Sequence, residues 1–257
     1  MGTYISTLPT LPLALLIGLC VFSTATLVFF GILRMSRHWG AALSLLSPQL
    51  LAVAAILYAL FTGFLGNNIW NNTTQAQRVV AEEARALDAA LLLSKGLQDD
   101  LRTAVRLWIS DYVKAVTGRE WASMAVGGID DTPYAILYQA LEAVTLTESE
   151  SSGQAISQAK VVESLNAALA ARTQRIQLSQ ERVGPIKWVV MLALGILVLT
   201  VSGLLHHANR ITLAVSLVVC ATGISSTLLP IVAYDRPFMG ERAISPSPLK
   251  SLVIPKD

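Results

Sequence analysis

Charge-free apolar stretches occur four times along the chain, two before and two after a long polar middle. The first lies in a run without Asp, Glu, Lys or Arg that reaches Leu33 and stops at Arg34, Arg37 and His38. The second begins near Pro48, in a run that lasts until Arg78. The third covers Trp188 to Leu205, and the fourth covers Ile211 to Tyr234. Each holds at least about 18 residues, which at about 1.5 Å per residue crosses most of a hydrocarbon core of about 30 Å. In lipid every backbone amide needs a partner within its own segment, so these stretches are predicted to be helices. The pattern predicts an all-α integral membrane protein with four transmembrane helices arranged two plus two. A transmembrane hairpin is expected over residues 1–70, with spans at about 11–33 and 48–68, and a helical insert over 71–183. A second hairpin is expected over 184–234, with spans at about 186–205 and 211–234, followed by a tail over 235–257.

The polar middle changes period to that of amphipathic helices. From about Thr74 to Ser94, Val80, Ala84, Leu87 and Leu91 share one face, and Glu83 falls on or beside it. Span two and this helix are expected to form one continuous rod. After Gly96, Asp99 or Asp100 is the expected cap of a second helix. There Val105, Trp108, Ile109, Tyr112, Val113 and Val116 make a core-facing stripe. Thr132 and Pro133 suit the start of a third helix, carrying Ile136, Leu137, Ala140, Leu141 and Val144. Thr145 to Gly153 reads as a solvated loop. A fourth helix from about Gln154 to Arg182 presents Val161, Val162, Leu165, Ala168, Leu169 and Ile176, and Gly184-Pro185 breaks it before the third span.

Of 257 residues, 53% are hydrophobic and 14% charged, where a soluble domain carries about a quarter charged. The insert holds 11 Lys/Arg against 14 Asp/Glu. Without a clustered basic face no nucleic-acid partner is expected. Cys20 and Cys220 both lie within spans, so they read as small packing residues rather than a disulfide framework. The N-terminal run lacks a positive flank and is long, so it is read as a retained helix. Arg34, Arg37 and His38 follow the first span directly, which places the first short loop, and that of His206, His207 and Arg210, in the cytoplasm. The insert is then extracytoplasmic in a multi-pass protein of the inner (plasma) membrane. The cations Arg172, Arg175, Arg182 and Lys187 before the third span, and those of the tail, pull the other way.

Catalysis is not expected: no Gly-rich phosphate loop, metal-spaced His or Cys pair, or nucleophile with a supporting base occurs. No cofactor and no metal site are predicted. His206 and His207, adjacent on a helix end, point about 100° apart. The spans carry no internal Asp, Glu, Lys or Arg, which argues against an ion-coupled transporter and permits a passive pore. On the last span Thr212, Ser216, Cys220, Gly223 and Thr227 recur every three or four residues as a small, weakly polar face. Such faces serve either close helix packing or pore lining. A carboxylate on an apolar face needs a partner, and for Glu83 the neighbouring Arg102 or Arg106 is expected as an ion pair.

Two strings are distinctive together. One is Glu82-Glu83-Ala84-Arg85-Ala86-Leu87, followed by Arg102, Arg106, Tyr112 and Val116 at fixed spacing, then Arg119-Glu120-Trp121-Ala122-Ser123-Met124. The other is Tyr234-Asp235-Arg236-Pro237-Phe238-Met239-Gly240. With the two-plus-two layout they resemble the bestrophin-like domain family of bacterial membrane proteins, although Ala122 stands where a proline commonly follows Glu-Trp. The resemblance covers nearly the whole chain and marks Glu83, Arg102, Arg106, Tyr112, Glu120, Trp121, Asp235, Arg236, Pro237, Phe238 and Gly240 as family-motif positions. Trp121 is expected to anchor a loop or sit at the membrane interface. Asp235 and Arg236 are expected to pair, with Pro237 ending the helix and Phe238 anchoring it. Kinship with bestrophins, which are oligomeric anion channels, implies a homo-oligomer in the lipid bilayer that passes small inorganic ions, and the small face of the last span is the candidate lining of its pore. The competing expectation is a non-conducting scaffold or sensor whose insert binds a partner.

Overall fold

The computed structural model describes residues 9–240 and 242–252, and among these every regular element is helical. The elements are α1 (Thr10–Leu43), α2 (Gln49–Leu93), a 3-10 turn (Ser94–Gly96) and α3 (Asp99–Ala115). A π-helical turn (Val116–Glu120), α4 (Trp121–Ala125), α5 (Thr132–Leu146) and α6 (Ser152–Gln180) follow. Then come α7 (Pro185–Leu205), α8 (Arg210–Tyr234) and the short α9 (Ser247–Lys250). Helices α1, α2, α7 and α8 are each long and apolar enough to cross a membrane. The protein is a multi-pass membrane protein.

The chain divides into two compact units, one of residues 1–71 and 182–235, the other of 72–181 and 236–257. Helix α2 is shared, its first half in one unit and its second half in the other. It is helical over all 45 residues.

In the membrane unit α1, α7 and α8 pack on one another. Leu213, Leu217, Ala221, Ile224, Leu228 and Ile231 of α8 form the buried stripe, at spacings of four, four, three, four and three. Val21, Ala25 and Ile32 of α1, Met191, Val198 and Leu199 of α7, and Ala54, Tyr58, Leu65 and Ile69 of α2 complete this core. Gly203 allows the closest approach: a Cβ there would lie 2.2 Å from Ile32 Cδ1. In an apolar stretch of 18 residues from each span only 17–33% are buried within the chain, and Leu11, Leu27, Phe64 and Ile186 are exposed. Apolar surface on this scale needs lipid or a neighbouring copy to cover it.

The second unit has a hydrophobic core of its own. Ala84, Leu87, Ala90 and Leu91 of α2 meet Val105, Ile109 and Tyr112 of α3, Leu137, Ala140 and Val144 of α5, and Val161, Leu165 and Ala168 of α6. The tail belongs here too. Leu249 is fully buried in this core, a contribution of about 1.5–3 kcal/mol, and Phe238 and Ile244 join a second cluster with Val79, Val80, Met124 and Ile176. Three helix starts differ in detail from expectation. Gln98 precedes α3, and Asp99 in its first turn pairs with Arg102 at 2.8 Å instead of capping. Asp131 takes the cap position of α5. Helix α6 begins two residues early because Ser151 accepts from the Gln154 amide at 3.2 Å.

Candidate functional site

Helix α6 carries arginines on its buried face. Its core positions Val161, Leu165 and Ala168 continue at the same three-and-four spacing into Arg172 and Arg175, so the helix that packs the core also drives two guanidinium groups into it. They are 4% and 0% exposed. Across from them α2 supplies Glu83, also fully buried, and α3 supplies Tyr112. Between α3 and α4 the backbone widens into the π-turn, a rare form that often re-aims a side chain. It delivers Glu120, fully buried, to the same place.

The geometry is that of a closed network. Arg175 Nε donates to Glu83 Oε2 at 2.6 Å and its Nη2 to Glu83 Oε1 at 3.0 Å, a two-pronged pair. The same Nη2 donates to Glu120 Oε2 at 2.9 Å, and Nη1 reaches Met124 Sδ at 3.1 Å. Tyr112 donates its hydroxyl to Glu83 Oε1 at 2.5 Å. Arg172 Nη2 donates to Glu120 Oε1 and, at 2.7 Å, to the carbonyl of Asp130. Two carboxylates face two guanidinium groups, so the buried charge cancels. That cancellation matters because removing an ion from water costs several kcal/mol unless its partners are all in place.

Aromatic rings close the site. Arg175 lies over the Trp121 ring at 5.2 Å, and Phe238 of the tail meets Trp121 edge to face at 5.6 Å. Trp121 Nε1 donates to the Ile244 carbonyl at 3.1 Å, and the Ile244 amide donates to the Pro237 carbonyl at 2.8 Å. Gly240 turns the tail at φ +82°, a left-handed conformation that favours glycine.

Burial pushes the Tyr112 phenol well above its ordinary range, the Glu83 charge pushes it the same way, and Arg175 opposes them. Burial by itself lowers the Arg175 guanidinium, but the charge and hydrogen bonds of Glu83 outweigh it and the net direction is up, so Arg175 stays charged. Outside the network, hydrogen bonds from Thr132 hold the Asp130 carboxyl below the usual carboxylate range. Apart from Arg172 Nε, which is buried without a hydrogen-bond partner, the charged groups of this network are engaged chiefly with one another, so its chemistry is to hold α2, α3, the π-turn, α6 and the tail in one arrangement. No group of three or more His, Cys, Asp or Glu is placed to hold a metal ion among the described residues.

In the membrane unit the small face of α8 divides. Thr212 and Gly223 are exposed on the single chain, and Ser216, Cys220 and Thr227 are half-buried. Thr227 Oγ1 shares a hydrogen bond of 2.7 Å with Tyr58 OH, and Cys220 Sγ lies 3.5 Å from Ser202 Oγ. A Cβ on Gly223 would meet nothing within 4 Å. The exposed stripe therefore runs through Thr212, Val215, Val219, Thr222 and Gly223.

A sequence profile of the bestrophin-like domain matches residues 19–249. The chain belongs to the bestrophin-like family. A crystal structure of a mutant bacterial bestrophin homolog from Klebsiella pneumoniae superposes with a TM-score of 0.64 at 11% identity, covering 92% of this chain and 94% of that one. At that identity the likeness concerns the fold. None of the curated proteins compared with the chain matches it.

In this bestrophin-like chain, five of the positions singled out from the sequence meet at one place: Glu83, Tyr112, Glu120, Trp121 and Phe238. The expected partner of Glu83 is corrected. Neither Arg102 nor Arg106 fills that role; the cation is Arg175, on α6. Arg102 and Arg106 sit half-buried along α3. Asp235 accepts from the Val183 amide at 2.7 Å, Arg236 reaches Met239 Sδ at 3.9 Å, and Pro237 and Phe238 are buried. By sequence alone Arg172 and Arg175 read as flanking charges of a span. The available signal was their register, since a pattern of buried positions continues through both.

Proposed function

We propose that this bestrophin-like protein assembles as a homo-oligomer whose copies surround a passive pathway for small inorganic ions, with α8 as its wall. The observation that carries this reading is the exposed, uncharged face of α8 from Thr212 through Thr222 to Gly223. It mixes the hydroxyls of Thr212 and Thr222 and the bare Gly223 with the apolar Val215 and Val219, and a pore needs no ring of formal charge to pass ions when apolar constrictions and hydroxyls set selectivity. Kinship with bestrophins supports the same reading. The protein acts by permitting passage, without catalysis. It sits in the inner membrane, and the cations after the first span favour an extracytoplasmic insert.

Helix α2 also exposes a small face, through Ala52, Ala55 and Ala59, so the test must separate two walls. Purified protein in liposomes is given chloride and potassium gradients separately. Flux is expected from the native protein, reduced by Gly223→Leu and retained by Ala55→Leu, with the oligomer intact in both. The converse pattern moves the wall to α2. A tight membrane around folded, inserted protein overturns conduction and favours a scaffold or sensor acting through its insert.

A further inference from the structure

A cavity of about 530 Å³ lies between α2 and α8 in the membrane unit, within the range of about 300–1,000 Å³ common for small-molecule sites. Its lining on α2 runs from Tyr58 to Trp70, about 18 Å of helix at about 1.5 Å per residue. That length compares with half of a hydrocarbon core of about 30 Å. Room is made by Ala59, Gly63 and Gly66, and a Cβ on either glycine would meet nothing within 4 Å. The occupant is therefore long and narrow.

Charge narrows its chemistry. No Asp, Glu, Lys, Arg or His lines the cavity, so an ion or a charged headgroup would have no partner there. A peptide would bring unpaired amides. The polar side-chain groups of the lining residues are hydroxyls and the Trp70 indole N–H. Tyr58 OH and Thr227 Oγ1 are bonded to each other, and the Thr62 hydroxyl donates to the Tyr58 carbonyl at 2.6 Å. Ser226 and Pro230 both line the cavity, inside α8. Proline has no N–H, so Pro230 leaves the Ser226 carbonyl, one turn back, without its helical donor. In a membrane span that acceptor calls for a partner from elsewhere.

We propose that this slot binds an uncharged, hydroxyl-bearing, single-chain amphiphile taken from the bilayer, such as a long-chain alcohol. Its tail lies along Ala59, Gly63 and Gly66, and its hydroxyl donates to the Ser226 carbonyl. The proposal concerns binding alone and does not rest on conduction.

The test reconstitutes the full chain in phosphatidylcholine liposomes with hexadecanol carrying a chain diazirine, irradiates, and maps adducts by mass spectrometry. Adducts are expected to concentrate between Tyr58 and Trp70 and between Ser226 and Tyr234. Excess plain hexadecanol should suppress them several-fold, and Gly63→Phe, which fills the slot, should do the same. Gly66→Phe is the second variant, in case the first fails to insert. Pro230→Ala restores the helical donor to Ser226 and should weaken competition by hexadecanol. Adducts spread evenly over the four spans, without competition, overturn the proposal. So does disulfide capture of Gly63→Cys between copies, in a Cys20→Ala and Cys220→Ala background, accompanied by loss of labelling. That result would seat a second copy in the slot.

Discussion

Removing one member of the buried network tests whether its charges act together. Glu83 accepts two bonds from Arg175 and one from Tyr112. Glu83→Gln leaves Arg172 and Arg175 facing Glu120 alone, one positive charge in excess. Arg175→Met leaves Glu83 and Glu120 facing Arg172 alone, one negative charge in excess. Breaking a buried pair from one side costs about 3–5 kcal/mol, chiefly because the other charge stays buried and uncompensated. At about 2–4 °C per kcal/mol for a chain of this size, each single variant should lower the melting temperature by about 6–20 °C. The double variant leaves Glu120 with Arg172, a neutral pair, so its loss should fall short of the sum by about 0.5–3 kcal/mol. The assay is thermal unfolding of the purified protein in detergent, followed by tryptophan fluorescence at matched concentration. Melting temperatures unchanged by either single variant would show that the network carries no stability. Losses that simply add would show that the charges are independent, and the account of a neutral cluster would fail.

Further outcomes follow from neighbouring positions. The Tyr112 phenol is pushed up on folding, so its contribution is fully present below its unfolded value of about 10 and is lost as pH rises through the folded one. Native protein should therefore lose melting temperature above about pH 10, and Tyr112→Phe should be less stable at neutral pH but less sensitive to alkali; an alkaline profile identical in the two proteins would refute this. A Cβ on Gly96 would lie 2.9 Å from Ser157 Cβ. Gly96→Ala should accordingly cost about 1–3 kcal/mol, recovered in thermal unfolding by adding Ser157→Gly; an unaltered melting temperature in Gly96→Ala would contradict it.

The membrane architecture was legible because lipid imposes a crude, strong requirement. A charge-free run of sufficient length can only be a helix, and four such runs are plain in the sequence. The insert's helices were legible for a related reason: Val105, Ile109, Tyr112 and Val116 mark a face without knowledge of what it faces. What a sequence period does not contain is the partner. Glu83 stands out as a carboxylate on an apolar stripe, and the cations that the next helix along the chain offers it are Arg102 and Arg106. Its partner lies 92 residues away, on a helix whose stripe of apolar residues leaves out Arg172 and Arg175. The π-turn was invisible for another reason. It adds a residue to a turn without changing composition, and it is what brings Glu120 to Arg175.

Helix α8 shows how far the same limit reaches into function. Its large stripe, Leu213, Leu217, Ala221, Ile224 and Leu228, and its small stripe, Thr212, Ser216, Cys220, Gly223 and Thr227, are offset by one residue, about 100° around the axis. Burial of the first stripe therefore places the second at the edge of the core. Which way each small residue leans is then decided by neighbours. Tyr58 and Ser202 meet Thr227 and Cys220, and Gly223 meets nothing within the chain. A face that looked uniform in sequence becomes two. One part is tied into the bundle and beside the cavity at α2. The other is open, and it is there that substitution at Gly223 should touch flux while leaving the fold intact.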